Sequence, residues 1–431
     1  MKKIAISTLG CKTNQFESAA MGEAVRKRGF QIVPFTDVAD IYIINTCTVT
    51  AKTDAESCRL IRRAQRQNAA ARIVVTGCYA QIAAEKISRL PGVNLVLGNT
   101  EKKAITDFLE ELDGTQKVVV SDISLEKSAD GEILETFAEH TRAFLQVQNG
   151  CNEFCSYCIV PYVRGRSRSV APESALEGVK TFAGKGFKEV VLTGIHLGAY
   201  GLDLDPPTSL LALVAAIEEH KLVSRLRLGS LEPTDISDEL IRLIANSRII
   251  CPHFHVPLQS GSDQVLRKMN RRYTTSFYGG MVEKLMAAAP GACIGTDVIV
   301  GFPGESENEF ENTHSFLEAL PLAYFHVFPF SPRDKTPAAQ MSEQIDPRVI
   351  KERAKALRKL SDSKKRTYFN SFLGKELAVL VQNREPGGKL KGLARNYVPV
   401  ILDGGDSLLN TEVRVRVTDV MRDLVRGEVA G

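Results

Sequence analysis

Three cysteines, Cys151, Cys155 and Cys158, stand in the run CNEFCSYC with Cys-x3-Cys-x2-Cys spacing, directly after the strand-like segment FLQVQNG. Three thiolates on one tight loop can ligate three irons of a four-iron cluster and leave the fourth iron open. A structural zinc site would require a closed set of four ligands, and no fourth Cys or His stands at a suitable spacing nearby. A second trio, Cys11, Cys47 and Cys78, matches no short metal motif. Its signal is position: each cysteine closes an apolar, β-branched run (KIAISTLGC, DIYIINTC, ARIVVTGC) before a stretch of helical composition. The alternative is that small residues are simply favoured at strand-to-loop turns. Cys58, Cys251 and Cys293 have no patterned partners and read as core thiols.

The elements that must hold these residues follow from the same periodicity. The three runs and their helical followers, such as Ser18 to Gly29, are βα units of a parallel α/β domain with a flavodoxin-like sheet. The carboxyl ends of adjacent strands in such a sheet line one crevice, so the three cysteines converge there. Residues 113–136, with Asp-Gly turns and mixed charges, read as a connecting segment with one strand at Lys117 to Val120. From Ala143 onward come FLQVQNGC, EVVLTG, RLRLGS, HFHVPL, CIGTDVIVG and YFHVFPF, the strands of a partial (β/α)6 barrel. They end near Cys151, Gly194, Ser230, Gln259, Asp297 and Phe328, at the rim where barrel active sites sit. Barrel-rim polar residues also cap loops, Phe328 reads equally as core, and His196 reads first as a hydrogen-bonding loop residue. His253 and His255 alternate along one strand face and are expected to pack inside the barrel.

Ser331 to Met341, with Pro332 and Pro337, leaves the barrel as a loop, and a helix is expected over Pro347 to Phe369. Between Lys351 and Arg366 it carries eight Lys or Arg against two acids, a strong local positive potential. The last sixty residues (ELAVLVQN, VPVILDGG, EVRVRVTDV) alternate in strand fashion with Gly-rich turns and predict a small all-β, OB-like barrel. The expected division is 1–113, a linker 114–136, a barrel domain 137–369 and a terminal barrel 370–431, an α/β multidomain chain.

With 431 residues, 44% of them hydrophobic, the chain is long enough to bury the cores of two or three domains. A net charge of +4 is compatible with a polyanionic partner but does not require one. The apolar run after Lys2 and Lys3 is about six residues long, too short for a signal or membrane segment. A cytoplasmic protein without membrane contact is therefore expected, where nine cysteines serve metal chemistry sooner than disulfides.

The CxxxCxxC loop, with Tyr157 before its third cysteine at the top of a barrel, resembles the signature of the radical S-adenosylmethionine superfamily. The resemblance implies a four-iron cluster whose open iron chelates S-adenosylmethionine, reductive cleavage to a 5′-deoxyadenosyl radical, and an electron donor such as a flavodoxin or ferredoxin. Tyr157, Gly194, Glu232, Gln259, Asp297 and Phe328 are the candidates to hold the cofactor. The superfamily often shows a Gly-Gly-Glu motif after the second strand, whereas this chain reads Thr193-Gly194-Ile195-His196.

Two cysteine triads in this order, over nearly the whole chain, resemble the radical S-adenosylmethionine methylthiotransferases. That implies a second four-iron cluster on Cys11, Cys47 and Cys78 that carries the sulfur to be inserted, and a terminal RNA-binding TRAM barrel. Arg395, Asn396 and Tyr397 offer that barrel a cation, an amide and a stacking ring. LGCKTNQFES, NTCTVTAKTD and LTGIHLGAYG look like the sub-group acting on N6-threonylcarbamoyladenosine of tRNA. The isopentenyladenosine type usually reads GCQMN, and the type modifying a ribosomal-protein aspartate reads GCPKN. The implied reaction is methylthiolation at C2 of the adenine. Its substrate carries a carboxylate, for which Arg164, Arg166 and Arg168 are candidate partners, equally plausible as RNA phosphate contacts or as solvent-facing charges. The competing readings are the two sibling substrates, an iron–sulfur electron carrier, and an RNA-binding protein with structural clusters.

Overall fold

In the computed structural model, which describes residues 1–112, 115–129, 131, 133–135 and 141–430, the apolar runs before residue 120 lie in one parallel sheet. Its strands are β1 (Lys3–Thr8), β2 (Gln31–Val33), β3 (Ile41–Thr46), β4 (Arg72–Gly77), β5 (Val93–Leu97) and β6 (Lys117–Val119), in the order β2-β1-β3-β4-β5-β6. The alternation of side chains along a strand builds two cores from one sheet. Ile41 and Ile43 pack with Met21 and Val25 of the helix Lys12–Lys27, while Tyr42 and Ile44 pack with Leu60 and Ile61 of the helix Ala51–Gln67. All six residues of β3 are buried, as a central strand covered on both faces requires. Strands β2 and β5 add to the three expected units. Strand β6, from the expected connecting segment, forms the sheet's edge. Both ends of that segment, 113/114 and 136/137, lie outside the described residues.

The second unit is an arc of six parallel strands: β7 (Arg142–Gln146), β10 (Glu189–Thr193), β11 (Arg225–Leu228), β12 (His253–His255), β13 (Cys293–Val300) and β14 (Tyr324–Pro329). Bridges Leu226–Ile250 and Ser230–His255 carry the arc from β11 to β12. A short antiparallel ladder of β8 (Gln148–Asn149) and β9 (Arg168–Ser169) braces the cysteine loop. Among the described residues no ladder joins β7 to β14, so the barrel is partial. The helix Lys12–Lys27 covers β7, and Phe16 joins the core of the arc. The long basic helix Pro347–Asn370 covers β14, where Ser361 Oγ accepts from Phe325 N at 2.9 Å.

The third unit is a closed barrel of β15 (Glu376–Arg384), β16 (Leu390–Ala394), β17 (Pro399–Leu402), β18 (Glu412–Val420) and β19 (Val425–Val429), in the order β15-β16-β17-β19-β18. It docks on the amino-terminal ends of the arc strands. Arg225 Nη2 donates to Leu393 O at 3.0 Å and Nη1 to Glu412 Oε2 at 2.6 Å, and Arg227 Nη1 donates to Arg395 O at 3.1 Å. The carboxylate that organises these arginines is Glu189 at the start of β10. It lies 2.9 Å from Arg225 Nε, 2.8 Å from Arg227 Nε and 3.7 Å from Arg142 Nη1, with the first two pairs wholly buried. Among the described residues no helix is long and apolar enough to cross a membrane.

Candidate active site

The first trio sits where parallel topology puts it. Cys11 caps the helix Lys12–Lys27, Cys47 follows β3, and Cys78 opens the helix Cys78–Ser88 after β4. Neighbouring strands end in register, with Thr8 opposite Asn45 and Thr46 opposite Gly77, so all three sulfurs leave one sheet edge. Gly10 and Gly77 take φ of +96° and +95° to make the turns. A Cβ on Gly10 would stand 2.8 Å from Cys47 Cβ and 2.9 Å from its Sγ; one on Gly77 would stand 2.5 Å from Asn45 Oδ1. Glycine is thus required by both conformation and space. Burial pushes the Cys47 thiol up to about 11, and the neighbouring Cys78 and Cys11 sulfurs add to this. A metal cation relieves a thiol raised in this way by displacing its proton.

Behind this trio lies a buried ionic knot that the sequence did not reveal. Arg164 Nη1 donates to Glu17 Oε1 at 2.8 Å, Lys102 Nζ lies 2.6 Å from Glu17 Oε2, and Arg164 Nη2 also donates to Asn14 Oδ1. Burial works to raise the Glu17 carboxyl, but Arg164 and Lys102 hold it down at about 2. Arg164 also faces Cys78 and Cys11, placing fixed positive charge beside their sulfurs.

The second trio occupies the loop after β8. Cys151 N donates to Gly165 O at 3.1 Å, Ser156 N to Met269 O at 3.0 Å and Cys158 N to Cys155 O at 2.9 Å, and Phe154 turns the loop with φ +46°. Arg271 Nη1 donates to Cys155 Sγ at 3.3 Å, and the same guanidinium is ion-paired with Glu232. His196 Nδ1 lies 4.0 Å from Cys151 Sγ while its Nε2 lies 2.9 Å from Asp235 Oδ2. Burial pushes Cys158 up to about 12, with Cys155 and Cys151 contributing. The donor set is three soft sulfurs from one loop, all free thiols, which would suit three irons of a four-iron cluster.

The two trios meet. Cys78 packs against Ile159, the residue after Cys158, and against Val163 one helical turn further on. Beside that contact a cleft of about 160 Å³ is lined on one wall by Val49 and Thr50, next to Cys47, and on the other by Cys158 and the arc. Val49 and Phe328 expose 52% and 38% of their surface into this apolar space. The walls are latched. Ala51 N donates to Ser331 Oγ at 3.0 Å, and Arg333 Nη2 donates to Thr48 Oγ1 at 2.7 Å and Asp54 Oδ2 at 2.5 Å.

Of the residues expected around a cofactor, Tyr157, Gln259, Asp297 and Phe328 line this cleft with Cys158. Gln259 adopts φ +69° and its N–H donates to Asp297 O at 2.8 Å, so these two polar side chains are held by one β-bridge. Gly194 lies outside the cleft against Gln148, where a Cβ would stand 2.8 Å from Oε1. Glu232 also lies outside it, positioning Arg271 over Cys155.

The arginines expected to meet RNA or the substrate carboxylate divide. Arg164 and Arg168 are 2% and 5% exposed and spend their donors on Glu17, Asn149 and backbone carbonyls, which withdraws both from any surface ligand. Arg166 is exposed, stacked over Phe154 at 4.6 Å. In the terminal barrel Arg395 donates to Glu412, Ser224 O and Arg248 O, and Tyr397 stacks on His253 at 3.9 Å. Both therefore serve the contact between barrels, and Asn396 is buried there. The alternation of spacing that signals a surface strand cannot distinguish a surface met by RNA from one met by a neighbouring domain.

Residues 3–98 match the family described as "Uncharacterized protein family UPF0004", and residues 145–317 match the radical SAM superfamily. The chain is 40% identical to the threonylcarbamoyladenosine tRNA methylthiotransferase MtaB of Aquifex aeolicus, over 93% of this chain and 97% of that protein. It is 37% identical to the protein of the same name from Bacillus subtilis, over 97% and 94%. The tRNA-2-methylthio-N(6)-dimethylallyladenosine synthase of Pelotomaculum thermopropionicum is 34% identical over 97% and 95%. In fold, the radical S-adenosylmethionine methyltransferase TsrM from Kitasatospora setae superposes with a TM-score of 0.57 at 14% identity, over 78% of this chain and 77% of that one.

Proposed function

Because the chain belongs to the radical S-adenosylmethionine methylthiotransferase family, we propose that it attaches a methylthio group to C2 of N6-threonylcarbamoyladenosine beside the tRNA anticodon. The observation that supports this most is the single latched cleft bounded by the residues next to Cys47 on one wall and by Cys158 on the other. Sulfur donation and hydrogen abstraction must act on one carbon, so the two metal sites have to share one chamber.

When bound, S-adenosylmethionine and a four-iron cluster on Cys151, Cys155 and Cys158 supply a hydrogen-abstracting radical, while a second cluster on Cys11, Cys47 and Cys78 supplies sulfur. The protein's own groups hold and shield. Gln259 and Asp297 offer polar contacts to the methionine and ribose parts, and Phe328 offers a face for an adenine ring. Val49, Ile299 and Phe330 keep the cleft apolar, which excludes water from a reactive intermediate. Glu232 fixes Arg271, whose positive charge beside Cys155 favours the ligating thiolate. A flavodoxin or ferredoxin delivers the electron, and the exposed face of the helix Pro347–Asn370, with Lys351, Lys355, Arg358 and Lys359, attracts the RNA backbone.

The reading is tested by mass spectrometry of nucleosides from total tRNA of cells with and without this gene. Loss of 2-methylthio-N6-threonylcarbamoyladenosine alone is expected; an unchanged nucleoside profile would turn attention to a ribosomal-protein substrate. A second expected result concerns the first trio. Gly10→Ala drives a methyl group into Cys47, so reconstituted protein should fall from about eight irons per chain to about four. Iron and sulfide analysis checks this, and full iron content in the variant would count against a cluster on Cys11, Cys47 and Cys78.

A further inference from the structure

Two histidines that the reading above leaves without a role meet Asp297 on the inner face of the arc. Strand register sets the meeting. Asp297 of β13 stands opposite His326 of β14, and Gly295, two residues earlier on β13, stands opposite His255 of β12. Residues two apart on a strand share a face, so three neighbouring strands present His255, Asp297 and His326 side by side. One ligand atom from each lies within 4.8 Å of the other two. His255 Nε2 stands 3.1 Å from Asp297 Oδ1, and the two imidazole rings are 5.7 Å apart between centroids.

A hydrogen bond between His255 and Asp297 would account for two members of this group and leave out the third. The His326 ring is positioned by its aromatic neighbours Tyr324 and Phe328, at 5.3 Å and 6.4 Å. Tyr324 also stacks on His255 at 6.3 Å, and its hydroxyl lies 3.1 Å from His253 Nε2 deeper in the arc. One tyrosine thus backs both imidazoles and is itself held in place.

Two imidazoles and one carboxylate form a donor set that suits a divalent first-row transition metal, and three protein ligands leave coordination positions open. The spacing agrees. Two donors bound to one cation through bonds of about 2.1 Å lie about 3.0–3.4 Å apart, and His255 Nε2 and Asp297 Oδ1 are 3.1 Å apart without any rearrangement. Ligands carried on paired strands are also better fixed than ligands carried on loops. The group adjoins the cleft, because Asp297 is one of its walls and Phe328, the next residue along the His326 face of β14, is another.

We propose that His255, Asp297 and His326 bind a divalent first-row transition cation at the base of the cleft, a metal site separate from both cysteine trios. Water or an oxygen donor seated in the cleft completes its shell. A carboxylate carries two oxygens, so ligation through Oδ1 leaves the other for the cofactor contact given to Asp297 above. The inference does not depend on which nucleoside the enzyme modifies.

The test uses the full-length protein with its cysteine sites reconstituted with iron and sulfide, so that those thiolates do not compete. The probe is manganese(II), which prefers oxygen donors to thiolate and whose free ion is counted by its electron paramagnetic resonance signal. The native chain should bind one manganese, and zinc, which stands higher in the affinity order, should displace it. His255→Ala and His326→Ala should each weaken binding by at least about tenfold, the loss that even an outer-shell change at a metal site brings. His220→Ala, at the exposed end of the helix Leu210–Glu219, should leave binding unchanged. Spin-echo modulation from imidazole nitrogen should accompany the bound ion in the native chain, and native cluster absorbance in each variant shows that it has folded. A native chain that binds no manganese overturns the inference. Binding that keeps its strength in both His255→Ala and His326→Ala overturns it equally.

Discussion

Replacing Cys155 by alanine is expected to abolish cleavage of S-adenosylmethionine to 5′-deoxyadenosine, whereas Cys47→Ala should leave that cleavage intact and stop methylthio formation. The two residues are the cleanest probes because of where they sit. Cys155 is buried in the barrel loop under the Arg271 guanidinium. Cys47 is buried against Gly10 at the sheet edge. Cys78 would be a poorer choice, since it packs on Ile159 and Val163 beside the other trio and its loss would disturb both. Quantifying 5′-deoxyadenosine and the methylthio nucleoside in the same reaction separates the outcomes. Equal loss of cleavage in both variants would defeat the division of labour between the trios.

The largest effect on stability is expected at Glu189. Its carboxylate lies among Arg142, Arg225 and Arg227, and those arginines also carry the docking of the terminal barrel. Glu189→Gln leaves buried guanidiniums without their counter-charge, a change that costs about 3–5 kcal/mol when one partner of a buried pair is removed. The pH dependence has a definite sign. Burial works to raise this carboxyl, but the arginines hold it at about 2, below its ordinary 4.5. A carboxyl depressed in the folded state contributes its full stability above about pH 4.5 and loses it as pH falls toward 2. Urea unfolding should therefore show native and Glu189→Gln proteins well separated at neutral pH, with the gap closing over that interval. A gap independent of pH would mean that packing, not charge, is what the carboxylate supplies.

Much of this architecture could be read from the chain because it is local. A β-branched run that ends in cysteine before a helical stretch is a feature of about ten consecutive residues, and parallel packing then brings Cys11, Cys47 and Cys78 to one edge. The short strands β2 and β5, of three and five residues, offered too little periodicity to be seen. What escaped depends on residues far apart in sequence. Glu17 and Arg164 are 147 positions apart, and Arg225 meets Leu393 across 168. From composition, Arg164, Arg168 and Arg395 look like a basic surface, but no local pattern separates a guanidinium that meets phosphate from one that meets a buried carboxylate.

The docking of Tyr397 on His253, with Arg227 and Glu189 sealed beneath, gives the arc a floor. Like a cup set on its base, the arc is closed at that end and offers its other rim, beside the two cysteine trios, to a ligand.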